Sequence, residues 1–205
     1  MNISPRRRGI IPSHLPFVHA LWEKAVRPGC TAVDATCGNG KDTLCMYQML
    51  SRTQDSHVVA MDIQQQAIEA TSRTIETFVQ HGAVQYRPRL TMLRASHEEF
   101  PAFLTTEEVA LVVYNLGYLP GTDKSVTTMT DSTLRSLSNA LKLVRNQGLV
   151  CVTCYPGHPE GRLEEKAVCN FTSSLDYNAF DTVWFKRLNK DTAPSVVVIE
   201  KLAGK

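Results

Sequence analysis

A chain of 205 residues, 43% of them hydrophobic, is long enough to bury one substantial core, and no repeat or low-complexity tract divides it. One domain spanning residues 1–205 is expected. The formal charge of +2 is too close to balance to mark a nucleic-acid binder by electrostatics alone, so a polyanionic partner would have to be held by a local patch. No run of about 18 apolar residues and no signal-peptide pattern is present, which argues against a membrane partner and for a soluble, cytoplasmic protein.

The one basic run, Arg6, Arg7 and Arg8, lies beside the chain start, and residues 1–13 read as a flexible arm. Residues 15–26 then place Phe17, Val18, Leu21, Trp22 and Val26 at helical spacing before Pro28 and Gly29 end the pattern. Strand-like runs follow at 31–36, 57–63, 90–95, 109–115, 148–155, 180–188 and 195–202. Helix-patterned stretches at 42–51, 64–81, 98–104 and 130–144 separate the first five strands, and another around 163–172 precedes the sixth. Strand alternating with helix implies a parallel sheet covered on both faces, because parallel neighbours need a crossover. The unbroken apolar run from Val109 to Val113 fits a strand buried on both sides. Only the short polar link from Asn189 to Pro194 joins the last two strands, so these form an antiparallel hairpin. Seven strands ending in a hairpin, with helices on both faces, is an α/β layout of the Rossmann-like class I methyltransferase type.

The six cysteines do not read as disulfides or as a metal site. Cys151 and Cys154 sit in an apolar strand, where alternation sends the two thiols to opposite faces. Reduced, buried thiols and no metal are expected.

The first strand breaks into a turn, Gly38, Asn39, Gly40, at the carboxyl edge where open α/β sheets bind ligands. A dinucleotide fingerprint wants a third glycine, and Thr43 stands there instead. Asp42 near the start of the next helix opposes a pyrophosphate at that helix N-terminus. It suits a cationic amine, such as that of S-adenosylmethionine. Asp62 ends the second strand, from which a carboxylate can hold both ribose hydroxyls, and Ile63 and Gln64 follow it. Ser96 and His97 follow the third strand, where adenine contacts lie. Asp34, Thr36, Gly38, Asn39, Gly40, Asp42, Thr43, Asp62, Ile63, Gln64, Ser96 and His97, with Asn115, Leu116 and Gly117, make up the expected donor site. Helix capping or solvated loop charge is the competing reading for the three aspartates.

The fourth strand ends Asn115, Leu116, Gly117, Tyr118, resembling the "(D/N)PP(Y/F)" motif of amino methyltransferases with Leu-Gly in place of Pro-Pro. There the Asn or Asp accepts hydrogen bonds from the substrate amine. Methyl transfer from a sulfonium is an in-line displacement, so acceptors on the amine N–H bonds aim its lone pair. Asn115 and Tyr118 are the catalytic candidates. His158 joins them, held between Pro156 and Pro159 in a loop after strand five, because an alkyl ammonium must lose a proton before it attacks. An ordinary loop histidine is the competing reading. His19, on the first helix, either reaches the site or packs the helix.

Together "DATCGNGKDT", "NLGYLPGTDK" and "YPGHPEG" resemble the family of tRNA 5-aminomethyl-2-thiouridine methyltransferases, formerly grouped as rRNA methylases, over most of the chain. Two residues depart from the family pattern: Lys41 where it has His, and Cys30 where it often has Asp. The resemblance implies S-adenosylmethionine-dependent methylation of the primary amine on a modified wobble uridine. Its partner would be a tRNA anticodon stem-loop, contacted by Lys41, Lys124, Arg162, His19, Tyr118 and His158. A homodimer is compatible with it. The alternatives are an rRNA or small-amine methyltransferase, a dinucleotide oxidoreductase, and a non-catalytic nucleotide-binding or RNA-binding module.

Overall fold

The computed structural model describes residues 13–82, 84–105, 108–117 and 128–204. The arginine run of the expected arm, with Tyr118 and Lys124, lies outside the described residues. The chain runs α1 (Leu15–Ala25), β1 (Thr31–Asp34), α2 (Lys41–Leu50), β2 (His57–Asp62), α3 (Gln65–His81), β3 (Arg89–Arg94) and β4 (Val109–Asn115). It continues with α4 (Thr130–Leu143), β5 (Val144–Cys154), α5 (Pro159–Ser173), β6 (Phe180–Phe185) and β7 (Ser195–Lys201).

The strands form one seven-stranded sheet in the order β3-β2-β1-β4-β5-β7-β6. Pairings among β1 to β5 are parallel, whereas β7 runs antiparallel to both β5 and β6. The chain builds outward from β1 through β2 to β3, then crosses back to lay β4 on the other flank of β1. The switch point therefore falls between the carboxyl ends of β1 and β4, where diverging connections leave a crevice.

Each sheet face buries its own core. Leu137, Ala140 and Leu141 of α4 and Val168 of α5 pack with Val33, Val112, Tyr114 and Val152 on one side. Val18 and Trp22 of α1, Met46 and Leu50 of α2 and Ile75 of α3 pack with Ala32, Leu111, Val113 and Cys151 on the other. Strand alternation thus sends Cys151 and Cys154 to different cores, as their spacing implies. Each fully buried Val or Leu here contributes about 1.5–3 kcal/mol.

Beyond shifts of one or two residues at element ends, four differences from the sequence reading have a physical reason. Residues 98–104 form turns rather than a helix: Pro101 disfavours helical geometry at Phe100, and the Leu104 N–H donates to the Pro101 carbonyl at 2.9 Å. Strand β5 starts at Val144 because Val144 already pairs with Val109; the register then shifts, with Gln147 at φ 61°. Helix α5 starts at Pro159, since His158 supplies its N-cap. Strand β6 stops at Phe185, and Lys186 turns to pair with the buried Glu165 at 2.8 Å.

Candidate active site

A cavity of about 510 Å³ opens at the switch point, within the size range of small-molecule sites. Its floor is the turn after β1. Gly38 and Gly40 adopt φ of 51° and 73°, the left-handed region open to glycine at little cost. A Cβ on Gly40 would also come within 2.8 Å of the Thr71 Cα, so α3 packs directly against the turn.

Asp62 braces this turn. Its Oδ2 accepts from the Gly38 N–H at 3.1 Å and its Oδ1 from the Gln64 N–H at 2.9 Å. The Gly38 amide that a pyrophosphate would need is already committed to a carboxylate. Each carboxylate oxygen still has a lone pair for a hydroxyl donor.

Asp34 is fully buried, taking the Thr43 hydroxyl at 2.6 Å and the Thr36 N–H at 3.3 Å. Burial first, and then the neighbouring Asp42 charge, push its carboxyl up to about 7 against the pull of the Thr43 and Thr36 hydrogen bonds. Burial, followed by the charge of Asp34, likewise pushes Cys37 up to about 12. Asp42 and Asp62 line the crevice with carboxylates, which favours a cationic ligand and opposes a pyrophosphate.

The far wall comes from β3 and α4. Ser136 donates its only hydroxyl proton to the His97 carbonyl at 2.6 Å, so the Tyr114 hydroxyl, 2.7 Å from Ser136 Oγ, is the donor in that pair. This chain of hydrogen bonds holds the His97 ring edge-on to Tyr114, with centroids 5.9 Å apart. Burial lowers the His97 pKa, and its Nδ1 finds no hydrogen-bond partner among the described residues. Ile63, 48% exposed, offers an apolar side chain on the same wall. An orphaned imidazole nitrogen, an exposed apolar side chain and the Asp62 carboxylate fit the adenine and ribose of S-adenosylmethionine. The Asp42 carboxylate fits its ammonium and sulfonium.

Asn115 closes the crevice from the β4 side. Its N–H donates to Thr36 Oγ1 at 2.7 Å, stitching the diverging strands together. Its carboxamide Nδ2 donates to Asp42 Oδ2 at 2.7 Å, and its Oδ1 accepts from the Tyr155 hydroxyl at 3.3 Å. Beyond Asn115, the Gly117 N–H donates to Thr128 Oγ1 at 2.7 Å and the Thr128 N–H returns to the Gly117 carbonyl at 3.1 Å. The buried Glu164 accepts from the hydroxyls of Thr128, at 2.8 Å, and Thr133, at 2.7 Å.

Of the residues singled out from sequence, Thr36, Gly38, Asn39, Lys41, Asp42, Asp62, Ile63, Gln64, Ser96, His97, Asn115 and Gly117 all line the cavity. Asp34, Gly40, Thr43 and Leu116 are not among its lining residues. Asp34 and Thr43 are sealed beneath the turn, Gly40 is buried within it against α3, and the Leu116 side chain belongs to the core. His19 stands behind Asp42, with Nε2 at 3.9 Å from Asp42 Oδ1 and its ring 4.8 Å from that of Trp22. His158 does not line the cavity either: its Nδ1 accepts the Gly161 N–H at 3.1 Å, capping α5. That bond needs a lone pair on Nδ1, so the 3.4 Å approach of Glu160 to the same atom is not a simultaneous hydrogen bond. Arg162 donates to the Pro156 carbonyl at 3.2 Å outside the cavity. Cys30 is buried just before β1, at the opposite end of that strand from the glycine turn. Sequence reasoning passes over Tyr155, Met129, Thr128 and Glu164. Tyr155 opens the "YPGHPEG" stretch, which is the one signal that points to it.

Residues 58–201 match a family model described as "Putative rRNA methylase". The chain is also 36% identical over 187 residues to an Arabidopsis thaliana protein named tRNA (mnm(5)s(2)U34)-methyltransferase, chloroplastic, covering 89% of this chain and 67% of that one. The chain belongs to this family. Solved structures agree. One under the same rRNA-methylase description, from Clostridium thermocellum, superposes with a TM-score of 0.84 at 30% identity, covering 95% of this chain and all (100%) of that one. A Streptococcus mutans protein described as a methyltransferase, solved in complex with SAH, gives 0.79 at 29% identity over 94% of this chain and 100% of its own. The family's fold is that of the class I methyltransferases, and its S-adenosylmethionine chemistry agrees with the crevice. Among the described residues, no helix is long and apolar enough to cross a membrane.

Proposed function

We propose that this chain transfers a methyl group from S-adenosylmethionine to the aminomethyl nitrogen of a 5-aminomethyl-(2-thio)uridine at the wobble position of tRNA, giving the 5-methylaminomethyl nucleoside. The observation that carries the reading is Asn115. Its carboxamide lines the same cavity as Asp62, so a donor gripped at Asp62 and an amine gripped at Asn115 share one crevice. The name of the Arabidopsis relative supports the choice of nucleoside.

When bound, S-adenosylmethionine supplies an electrophilic methyl on a sulfonium. The residues of this chain supply position. Asp62 and the Gly38 turn fix the nucleoside end, His97 and Ile63 receive the base, and Asp42 with its neighbours favours the positive charge. Asn115 Oδ1 accepts an amine N–H and turns the nitrogen lone pair toward the methyl, which raises the rate by alignment rather than by bond-making. The amine must arrive neutral. His158 can act as a base at Nδ1 only by releasing the α5 cap, so its first duty is structural. The wobble base would leave its stack to reach Asn115 and Tyr118. Lys41, Arg162 and Lys124 would meet phosphates, and with so few contacts affinity should decline only gently as salt rises.

The test is methyl transfer to tRNA carrying 5-aminomethyluridine, set beside the unmodified transcript and rRNA, with mass spectrometry of the digested nucleosides. Methylation of the modified tRNA alone is expected. Equal incorporation into unmodified tRNA, or incorporation into rRNA only, would overturn the reading in favour of an rRNA methyltransferase.

A further inference from the structure

A carboxamide has two ends of similar shape and opposite hydrogen-bonding sense, and only its oxygen can accept from an amine. What decides which end of Asn115 faces the substrate? The Tyr155 hydroxyl, 3.3 Å from Oδ1, could donate or accept and tolerates either orientation. Asp42 is different. A carboxylate presents acceptors alone, so at 2.7 Å it admits only the Nδ2 end of Asn115. Turning the amide over would set two acceptors against each other in a half-buried site.

We propose that Asp42 is a positioning residue for the reaction: it locks the polarity of the Asn115 carboxamide, with Tyr155 bracing the oxygen that meets the amine. This rests on the reading of Asn115 as the acceptor of the substrate N–H bonds. It gives Asp42 a task beyond attracting the cationic donor, and it gives Tyr155, exposed at the cavity wall, a place in the machinery. The lock is built from both sides of the switch point: Asp42 stands in the first turn of α2, Asn115 at the end of β4 and Tyr155 just past β5. Around Asp42 stand His14, the N-cap of α1, His19 from α1, Asp34 from β1, Cys45 from α2, Cys151 from β5, and Tyr155. None of these alone prescribes the orientation of the amide.

An exchange of the two groups tests the lock with side chains of nearly unchanged shape. Asn115→Asp alone sets two carboxylates face to face. Methyl transfer at saturating donor should fall by about 100-fold, as for loss of an aligning group. Adding Asp42→Asn places a donating carboxamide at position 42 against an accepting carboxylate at position 115. This restores one donor and one acceptor, and the rate should recover at least about tenfold over the single Asn115→Asp variant, a coupling that independent sites do not show. A double variant no faster than Asn115→Asp overturns the lock. Tyr155→Phe should slow transfer several-fold with donor affinity intact, and an unchanged rate removes Tyr155 from the lock.

A second readout needs no substrate. In Asn115→Asp the facing carboxylates should raise one pKa in the folded state, so stability is lost as pH rises through the carboxylate range. The double variant should return to the wild-type pH dependence. An Asn115→Asp variant with no added pH dependence overturns the pairing. If the wild-type enzyme leaves 5-aminomethyluridine tRNA unmethylated, the substrate reading fails by itself, and the pH series still judges the lock.

Discussion

Asp34 and Thr43 meet at 2.6 Å, both fully buried, and bind the last residue of β1 to the first turn of α2 beneath the glycine turn. Neither reaches the cavity. The pair holds the turn from below, while Asp62 holds it from above through Gly38.

The buried carboxyl makes stability depend on pH in a defined direction. Asp34 is raised to about 7 from an ordinary value of 3.8, so the folded state binds its proton more tightly than the unfolded chain. The contribution is fully present below the unfolded value and is lost as pH rises through about 7. The slope across that window approaches about 1.4 kcal/mol per pH unit for one proton. Denaturant titrations from about pH 4 to about pH 8 should show it, and Asp34→Asn should flatten it. Equal slopes in the two proteins would mean that Asp34 titrates normally.

Asp62→Ala should weaken S-adenosylmethionine at least about tenfold, because charge-assisted hydrogen bonds are worth about 1.5–3 kcal/mol each. The same change releases the Gly38 and Gln64 amides, so the glycine turn should lose protection from hydrogen exchange. Calorimetry showing unchanged affinity in a folded variant would remove Asp62 from the donor site.

Asn115→Ala should separate chemistry from binding. Donor affinity should stay near the wild-type value while the single-turnover rate falls about 100-fold. Normal turnover would reduce Asn115 to a strand-end residue joined to Thr36.

The positions of Asp62, His97 and Asn115 are legible in the amino-acid sequence, because apolar alternation marks where buried strands end and ligand contacts gather at those ends. Asp34 is legible as a strand-end acid but not as a sealed one: its exposure depends on how Thr43 and Thr36 fold over it. Tyr155, Thr128 and Glu164 are illegible for another reason. Their roles arise from partners 40, 11 and 36 positions away in the chain, and neither period nor propensity encodes such pairings. The stretch 98–104 misleads because its apolar spacing suits a helix that Pro101 does not allow.

Thr128→Val removes one hydroxyl that serves Gly117 and Glu164 together. Both partners are then left short of a hydrogen bond in a partly buried setting, at a cost of about 1–3 kcal/mol. Chemical denaturation should show that loss, accompanied by slower methyl transfer at unchanged donor affinity. A variant as stable and as fast as wild type would mean that the backbone bond from Thr128 to Gly117 suffices.

Gly117 and Thr128 hold each other by two hydrogen bonds, one in each direction, so the spacing of these two residues at the cavity is fixed independently of the chain between them. Closing a chain between two residues held in this way is mainly an entropic matter. Doubling the number of intervening residues would add only about 0.6 kcal/mol of closure entropy. An insertion between residues 117 and 128 should therefore leave Asn115 where Thr36 and Asp42 hold it.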